Sequence, residues 1–341
     1  MLKTAVVILN YNGAEMLRQF LPGVLQYSGF DSVFVVDNAS NDNSLEVLKY
    51  EFPVVKTIIL EKNFGFAGGY NKAIQQIDAE YIVLLNSDVE VTENWLNPLE
   101  AFMDCHPEVA ACQPKIRSYH KRDVFEYAGA SGGFIDRFGY PYCRGRIMNT
   151  LEKDNNQYDT ICSVFWATGA ALMIRKMDYI GVGGLDDRFF AHMEEIDLCW
   201  RLKSRGREIF CIPQSHVYHV GGGTLKKESP SKTYLNFRNN LLMLYKNLPE
   251  GELNPVMRAR SFLDFVAWLQ YIVKFDWGNA KAVFRARRDF KRMKADFAVD
   301  RATNLSHCIV SCIPERTPFF LLWEYYFKSN KTFELLSHVN N

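Results

Sequence analysis

Polar residues follow each of four short apolar segments in the first ninety residues, at positions 10–13, 37–40, 63–65 and 86–88. The last of these segments ends in Asp88, beside Asn86 and Ser87. Such oxygen donors suit Mg²⁺ or Mn²⁺, ions that commonly bridge one or two carboxylates to substrate phosphates. Asn, Asp, Gly and Ser also dominate turns and helix N-caps for local reasons. Any single segment is therefore compatible with a simple turn, and the four together indicate a site.

The four apolar segments, 4–9, 33–36, 56–60 and 81–85, predict β-strands with helices between them. Segments that are apolar throughout and alternate with helices are typical of parallel strands covered on both faces. We therefore predict an α/β fold with a mostly parallel sheet. Ligands of such sheets bind beyond the carboxyl ends of the strands, which is where the polar segments lie.

Composition excludes several classes of protein. The chain has 341 residues, of which 48% are apolar and 23% charged, as in a globular protein. Its 40 Lys and Arg nearly cancel 39 Asp and Glu, so no general affinity for nucleic acid is expected. Eight cysteines without CxxC or zinc-like spacing predict buried thiols in a reducing compartment. With no signal-peptide pattern and no long uncharged segment, the predicted location is the cytoplasm.

The rest of the chain is predicted to be more helical. Helices are expected over 93–105 and 194–205 and a strand over 170–175, followed by helices over 234–245, 256–273 and 280–297. Acids at the start of the second helix and bases at its end suit the helix dipole without any function.

The C-terminal region is basic, with 14 Lys and Arg against 9 Asp and Glu over 251–341. Apolar residues recur at steps of 3 and 4 over 281–297, which predicts a basic amphipathic helix. Two interpretations stay open for it. The helix packs on the protein with a solvated charged face, or it lies on anionic lipid with Trp268, Trp277 and Trp323 as anchors.

Several segments together resemble a known family. VVILNYNG, VVDNASNDNS, EKNFGFAGGYNKAI and LLNSDVEV, and then 166–176, 183–206 and 219–224, follow the order of family 2 glycosyltransferases with the GT-A fold. The rhamnosyltransferase-like branch is the most similar. The resemblance covers about 4–247 and implies a Rossmann-like nucleotide-sugar-binding catalytic domain over 1–230, with a donor half of about 1–91 and an acceptor half of about 92–230. A helical, basic region over 231–341 follows.

The resemblance implies a nucleotide-binding set. Asp37 is expected to contact the base or ribose, as a carboxylate that accepts from a pyrimidine N3–H or from hydroxyls can do. The residues expected to complete this donor pocket are Asn10, Asn12, Asn63, Gly65, Gly69, Asn86 and Asp88. The glycines fit a helix entry turn equally well, but 65–69 is not the GxGxxG of a dinucleotide fold.

Residues 86–88 match the metal motif of the family, with Asn86 in place of its first acid. The resemblance therefore implies that Asp88 binds the metal directly and that Asn86 contacts it through water or contacts the sugar. His219 matches a second metal ligand of some relatives, although a His beside glycines is also a common loop residue. The implied ion, Mg²⁺ or Mn²⁺, would offset charge on the departing diphosphate.

Inverting transfer needs a base opposite the leaving phosphate. The matching element is 193–197, where Glu195 occupies the base position that is Asp in most relatives, and Glu194 is the alternative. Asp197 and Arg201, four residues apart, are expected to form an ion pair instead.

The acceptor side is implied by the same resemblance. Trp166, Thr168 and Gly169 match residues that shape the floor between donor sugar and acceptor, although a Trp is also common in cores. His192 is expected to help bind the acceptor.

The predicted function is inverting, metal-dependent transfer of a sugar from a UDP- or dTDP-linked donor, with rhamnose among the candidate sugars. The expected acceptor is a saccharide or a polyprenyl-diphosphate-linked glycan of surface polysaccharide biosynthesis. If the basic C-terminal helix lies on lipid, this acceptor is reached at the inner face of the cell membrane. No nucleic-acid partner is expected. One alternative is a sugar-phosphate nucleotidyltransferase, but 10–13 lacks the basic triphosphate loop of that class. Another is an inactive carbohydrate-binding or scaffold relative.

Overall fold

The computed structural model describes residues 1–221, 229–310 and 312–337. Its first part alternates strands and helices, as the sequence predicts. The elements are β1 (Leu2–Asn10), α1 (Ala14–Ser28), β2 (Val33–Asp37), α2 (Ser44–Tyr50), β3 (Lys56–Ile59), α3 (Gly65–Ile74), β4 (Ala79–Asn86), β5 (Val89–Val91) and α4 (Asn97–Cys105).

The middle of the chain consists mainly of strands. It comprises β6 (Val109–Ser118), β7 (Gly133–Asp136), β8 (Pro141–Cys143), β9 (Arg146–Ile147), β10 (Thr150–Leu151), β11 (Cys162–Ser163), β12 (Ala171–Arg175), α5 (Lys176–Gly181), α6 (Glu194–Ser204) and β13 (Glu208–His219). The C-terminal part comprises α7 (Pro230–Asn247), α8 (Glu250–Val273), α9 (Trp277–Met293), α10 (Ala298–Ser306), β14 (Arg316–Thr317), α11 (Leu321–Tyr326) and α12 (Phe333–Ser337).

The central sheet has the strand order β11-β13-β6-β12-β4-β1-β2-β3, with β5 paired to β13. Strands β3, β2, β1 and β4 are parallel, and β6 is parallel to β13, so most of the paired residues lie in parallel ladders. Apolar side chains cover both faces of the sheet in two buried clusters. The predicted α/β fold with a mostly parallel sheet is confirmed.

A smaller sheet, in the order β10-β9-β8-β7-β14, forms from the glycine-rich segment that had no strand prediction. Its last strand comes from the C-terminal region, because Arg316 and Thr317 pair with Ile135 and Asp136 of β7. The two parts of the chain therefore share this sheet, and the boundary at residue 230 stays a prediction.

The C-terminal helices pack on the rest of the protein, where α7 contacts α6. The apolar face of α9, including Val283, Ala286 and Phe290, is buried, and α7 is its main helical neighbour. This packing matches the interpretation in which α9 docks on the protein. Among the described residues, none of the helices combines the length and apolar composition needed to cross a membrane. All eight cysteines are free, but Cys105, Cys308 and Cys312 are exposed, so the prediction that all are buried was wrong.

Candidate functional site

Three strand ends lie side by side at one edge of the central sheet. Asn10 at the end of β1 pairs in register with Asp37 at the end of β2, and Leu9 pairs with Asn86 at the end of β4. This adjacency follows from parallel pairing, which brings the carboxyl ends of neighbouring strands to the same edge. The predicted donor residues on these strands are therefore neighbours.

Hydrogen bonds fix the first two strand ends. The buried Asn10 donates through Nδ2 to Asp37 Oδ2 at 3.2 Å and to Ser40 Oγ at 3.2 Å, and Asp37 Oδ1 accepts from the Ser40 amide at 2.9 Å. Asn12 joins this group because its amide donates to Ser40 Oγ at 2.9 Å. Asn10 Oδ1 is enclosed and has no hydrogen-bond partner among the described residues. A buried acceptor that the protein leaves without a donor calls for a partner such as a water or a ligand.

The turn that enters α3 is fixed by Asn38, which the sequence prediction did not include. Its Nδ2 donates to Asn63 Oδ1 at 3.0 Å and to the Gly65 carbonyl at 3.0 Å. Gly65 has φ +72°, and a Cβ there would lie 2.7 Å from the carbonyl oxygen of Phe190. A Cβ at Gly69 would lie 2.7 Å from Leu9. The positive φ and the backbone contact require glycine at position 65, as the helix-entry interpretation expects, whereas the close neighbour of Gly69 is a flexible side chain.

Asp88 and His219 meet beyond the end of β4. His219 Nε2 lies 3.1 Å from Asp88 Oδ1 and 3.4 Å from Asn86 Nδ2. On its other side, His219 Nδ1 lies 3.4 Å from Glu126 Oε2. The sequence motif 219–224 continues into residues outside the described ranges, but His219 itself is buried in this group.

Opposite charges dominate the electrostatics of this group. Burial alone would lower the pKa of His219, but the carboxylates of Glu126 and Asp88 outweigh it and raise that pKa to about 10. Burial would raise the pKa of Asp88, yet its hydrogen bond to His219 holds that pKa below the ordinary value. The imidazole is therefore fixed between two acids.

The metal-ligating side chains fit a divalent cation that is also bound by the phosphates of a ligand. Within the described ranges, no three His, Cys, Asp or Glu side chains form a group that could hold a metal by themselves. Asp88 and His219 offer one oxygen and one nitrogen, which is the small protein contribution typical of ions bound mainly through substrate phosphates. Glu126 faces Nδ1 of His219 at 3.4 Å and can orient the ring so that Nε2 points to the metal position, where a bound cation would displace the proton of Nε2.

A strained loop leads into α6. Phe190, His192 and Met193 have φ of 67°, 70° and 73°, a conformation that costs non-glycine residues energy. The fully buried Asn239 of α7 holds it, because its Nδ2 donates to the carbonyls of Phe189, Ala191 and His192 at 2.9, 2.9 and 2.8 Å. This loop also contacts the entry of α3, where the Phe66 amide donates to the Phe190 carbonyl at 2.8 Å. The loop thus ties the start of α6 to the donor edge.

Glu194 and Glu195 begin α6 directly after this loop. Each has an enclosed carboxylate oxygen, Oε2, without a hydrogen-bond partner among the described residues. Burial raises the pKa of both acids, that of Glu195 to about 7, and the neighbouring charge of Glu195 raises that of Glu194 further. Burial also lowers the pKa of His192 to about 4, so its imidazole is neutral at physiological pH. Acids with raised pKa values suit proton transfer.

Asp197 is structural, as predicted. Its Oδ2 lies 2.9 Å from Arg201 Nε and 2.8 Å from Lys246 Nζ, and its Oδ1 accepts from Asn247 Nδ2 at 2.8 Å. These buried contacts fasten α6 to the end of α7. The predicted ion pair between Asp197 and Arg201 is confirmed.

The segment 166–170 lies beside these elements. Trp166 is only 3% exposed, and its Nε1 donates to the Phe134 carbonyl at 3.0 Å, so it supports the site from within the core. Thr168 is buried, and its Oγ1 accepts from the Ala170 amide at 3.2 Å. A Cβ at Gly169 would lie 2.7 Å from the Phe66 ring. Direct contact of these residues with an acceptor stays a prediction.

The predicted donor residues thus lie together at the ends of β1, β2 and β4. The loop over 189–193 connects them to the start of α6. No direct contact between Glu195 and Asp88 is observed among the described residues. Sequence analysis missed Asn38, Glu126 and Asn239. Their roles depend on contacts with residues 25 to 93 positions away, for which the sequence gives no local signal.

The parallel strand ends, the Asp88–His219 group and the helix-borne acids together define a GT-A glycosyltransferase fold. The sequence matches the family described as Glycosyl transferase family 2 over residues 5–178, slightly more than half of the chain. The chain therefore belongs to this family, and it is a glycosyltransferase.

Three relatives illustrate the similarity, each at low sequence identity. The chain is 26% identical over 258 residues to the N-acetylglucosaminyl-diphospho-decaprenol L-rhamnosyltransferase of Mycobacterium tuberculosis, covering 70% of this chain and 83% of the relative. Residues 1–349 of S. aureus TarS, solved with UDP-GlcNAc, align with a TM-score of 0.55 at 16% identity, over 90% of this chain and 89% of that chain. GalNAc-T7, solved with UDP, GalNAc and Mn²⁺, aligns with a TM-score of 0.54 at 16% identity, over 72% of this chain but only 48% of that chain. These structural likenesses establish the fold.

Proposed function

We propose that the protein transfers a sugar, with inversion, from a nucleoside-diphosphate sugar to a saccharide acceptor. The observation that carries this proposal is that one loop connects the polar residues at the strand ends to the buried acids at the start of α6. The strand ends offer Asp37, Asn10 and Asp88 to a nucleotide and its diphosphate, and the loop that contacts the α3 entry presents the enclosed acids Glu194 and Glu195. Donor binding and base catalysis are the two needs of this reaction.

In the proposed step, the acceptor hydroxyl oxygen attacks the anomeric carbon of the donor sugar. The bond between that carbon and the diphosphate oxygen breaks, its electron pair leaves with the nucleoside diphosphate, and the hydroxyl proton passes to Glu195. Glu195 is the favoured base because it occupies the position of the family's base, and burial raises its pKa toward the range in which a carboxylate can accept a proton near neutral pH. Glu194, more deeply buried, would stay protonated and support its neighbour.

Asp88 and His219 are the proposed metal ligands, and Asn86 contacts the site through water or through the sugar. A divalent cation bound there supplies Lewis-acid stabilisation of the leaving diphosphate. The Mn²⁺ and UDP in the GalNAc-T7 structure support Mn²⁺ or Mg²⁺ as the ion and a pyrimidine nucleotide as the donor. Asp37 would accept a hydrogen bond from the base or ribose, and Asn12 and Asn63 would shape the same pocket.

For the acceptor we propose a polyprenyl-diphosphate-linked glycan of a surface polysaccharide, which the name of the mycobacterial relative supports. UDP and dTDP sugars are the proposed donors, with dTDP-rhamnose the first to test. Such an acceptor stays in the bilayer, so the enzyme would work at the cytoplasmic membrane face. His192, enclosed and without a partner for Nε2 among the described residues, is the proposed acceptor contact.

The test measures release of nucleoside diphosphate from a panel of UDP and dTDP sugars with Mn²⁺, with and without a lipid-linked acceptor. We expect release that depends on acceptor and on metal. Glu195→Gln should retain donor affinity but lose about 10²- to 10⁴-fold in transfer rate, the usual share of a general base. Near-normal transfer by this variant, with loss in Glu194→Gln instead, would move the base to Glu194. Formation of a sugar nucleotide from a nucleoside triphosphate would instead identify a nucleotidyltransferase.

A further inference from the structure

Helix α8 has an unusual distribution of side chains. Only Val256, Arg260 and Asp264 of this helix are buried. Arg260 and Asp264 form an ion pair at 3.3 Å on the inner face, and Arg287 of α9 also contacts Asp264. A helix of a globular protein usually turns its apolar side inward. In α8 the inner face is charged instead, and its charged side chains are paired with each other and with Arg287.

The outer face of α8 is apolar. Phe262, Phe265, Val266, Leu269 and Val273 recur at steps of 3, 1, 3 and 4, which places them on one stripe of the helix, opposite Arg260 and Asp264. All five are exposed, Phe262 to 66% and Val273 to 69%. We call these five residues the α8 ridge.

The exposed apolar surface continues past the end of the helix. Phe275 and Trp277, in the turn to α9 and at its start, are 78% and 60% exposed, and Phe284 of α9 is exposed as well. Single exposed apolar residues are ordinary, but eight exposed apolar side chains on two packed helices and the turn between them mark a surface that contacts another apolar phase.

The charges around the exposed apolar residues indicate which apolar phase the surface contacts. Over residues 258–292, which span most of α8, the turn and α9, every exposed ionisable side chain is basic: Arg258, Lys274, Lys281, Arg285, Arg288, Lys291 and Arg292. The acids of the same region are already engaged. Asp264 lies in the inner ion pair, Asp276 caps α9 by accepting from the Asn279 amide at 3.1 Å, and Asp289 contacts Arg288 at 3.0 Å. An apolar ridge flanked by bases is complementary to an anionic lipid surface.

We propose that the α8 ridge inserts into the headgroup region of an anionic phospholipid bilayer while the bases of the α8–α9 turn and of α9 contact lipid phosphates. This assigns the membrane contact to α8 and not to the apolar face of α9, which is buried inside the protein. The inference deepens the proposed function, because it explains how a lipid-linked acceptor is reached. Its test requires no glycosyl transfer, so the two can fail separately.

The test is co-sedimentation of the full chain with vesicles of phosphatidylcholine alone and of phosphatidylcholine with phosphatidylglycerol. We expect binding that needs the anionic lipid and weakens with salt. The triple variant Phe262→Ser, Phe265→Ser, Leu269→Ser should bind at least tenfold more weakly. Reversal of charge in Lys274→Glu, Lys281→Glu should also weaken binding. Tryptophan fluorescence, to which Trp268 and the exposed Trp277 contribute, should shift to shorter wavelength with vesicles in the parent protein.

The matched control removes three exposed apolar side chains far from the ridge, in Tyr50→Ser, Val54→Ser, Ile59→Ser. This variant should bind vesicles like the parent. Circular dichroism and urea unfolding establish that all variants are folded alike. Equal vesicle binding by the ridge variant and the control would overturn the proposal. So would a parent protein that ignores vesicles and forms a dimer in sedimentation equilibrium that the ridge variant cannot form, since the ridge would then bind a second copy.

Discussion

Replacement of Asn239 tests whether α7 holds the loop that presents the proposed base. Asn239→Ala removes the donor of three hydrogen bonds to the carbonyls of residues 189, 191 and 192. The two protons of this amide are shared among the three carbonyls, so at about 0.5 to 1.5 kcal/mol per hydrogen bond their loss should lower the free energy of unfolding by about 1 to 3 kcal/mol. The loop has three positive-φ residues, Phe190, His192 and Met193, and it should relax without this support.

Relaxation of the loop would move Glu195, and a displacement of about 1 Å can cost about 10²-fold in rate. We therefore expect kcat of Asn239→Ala to fall by about that factor, with KM for the donor changed far less. Asn239→Asp, which keeps the shape but cannot donate, should behave similarly. Asn236→Ala is the control, since Asn236 lies on the same helix and its side chain has no hydrogen bond among the described residues. Urea unfolding and steady-state kinetics measure both effects, and a destabilised Asn239→Ala with unchanged kcat would refute the proposed role.

Three further outcomes are expected. Glu126→Gln should weaken Mn²⁺ binding about 10- to 100-fold in calorimetry with nucleoside diphosphate present, because His219 loses the carboxylate that orients it; unchanged affinity would contradict this. Gly65→Ala should destabilise by at least about 1 to 2 kcal/mol in urea, since its φ is +72° and Phe190 is too close, whereas Gly23→Ala, with free space around it, should not destabilise. The transfer rate at saturating donor should fall as pH drops below about 7, because protonated Glu195 cannot accept a proton; a flat profile down to pH of about 5.5 would exclude Glu195 as the base.

The donor edge was predictable because its signals are local. Apolar segments long enough to cross a sheet, each followed by polar residues such as Asn10 and Asp37, indicate parallel strands whose ends meet. The structure confirms this arrangement, with β1, β2 and β4 adjacent. The pairing of Asp197 with Arg201 was predictable for the same reason, since four residues make one helical turn.

Other features depend on distant contacts. Strands of two to four residues, such as β9 and β10, are too short to show a hydrophobic period, so the smaller sheet could not be foreseen. Glu126 and His219 are far apart in sequence, and only the parallel pairing of β6 with β13 brings their segments together. Helix α8 was predicted as a helix, but the exposure of its apolar stripe was not. An apolar stripe in a sequence cannot by itself show whether it faces a core or the outside.

The most direct test of the central claim is a crystal structure of Glu195→Gln with a nucleoside-diphosphate sugar and Mn²⁺, with the ion located by its anomalous signal. We expect Mn²⁺ between the Asp88 carboxylate and His219 Nε2, in contact with the diphosphate, with the base or ribose at Asp37. The side-chain amide that this substitution introduces should face the anomeric carbon from the side opposite the leaving oxygen. A nucleotide bound away from Asp37 and Asp88, or a sugar that position 195 cannot reach, would contradict the account.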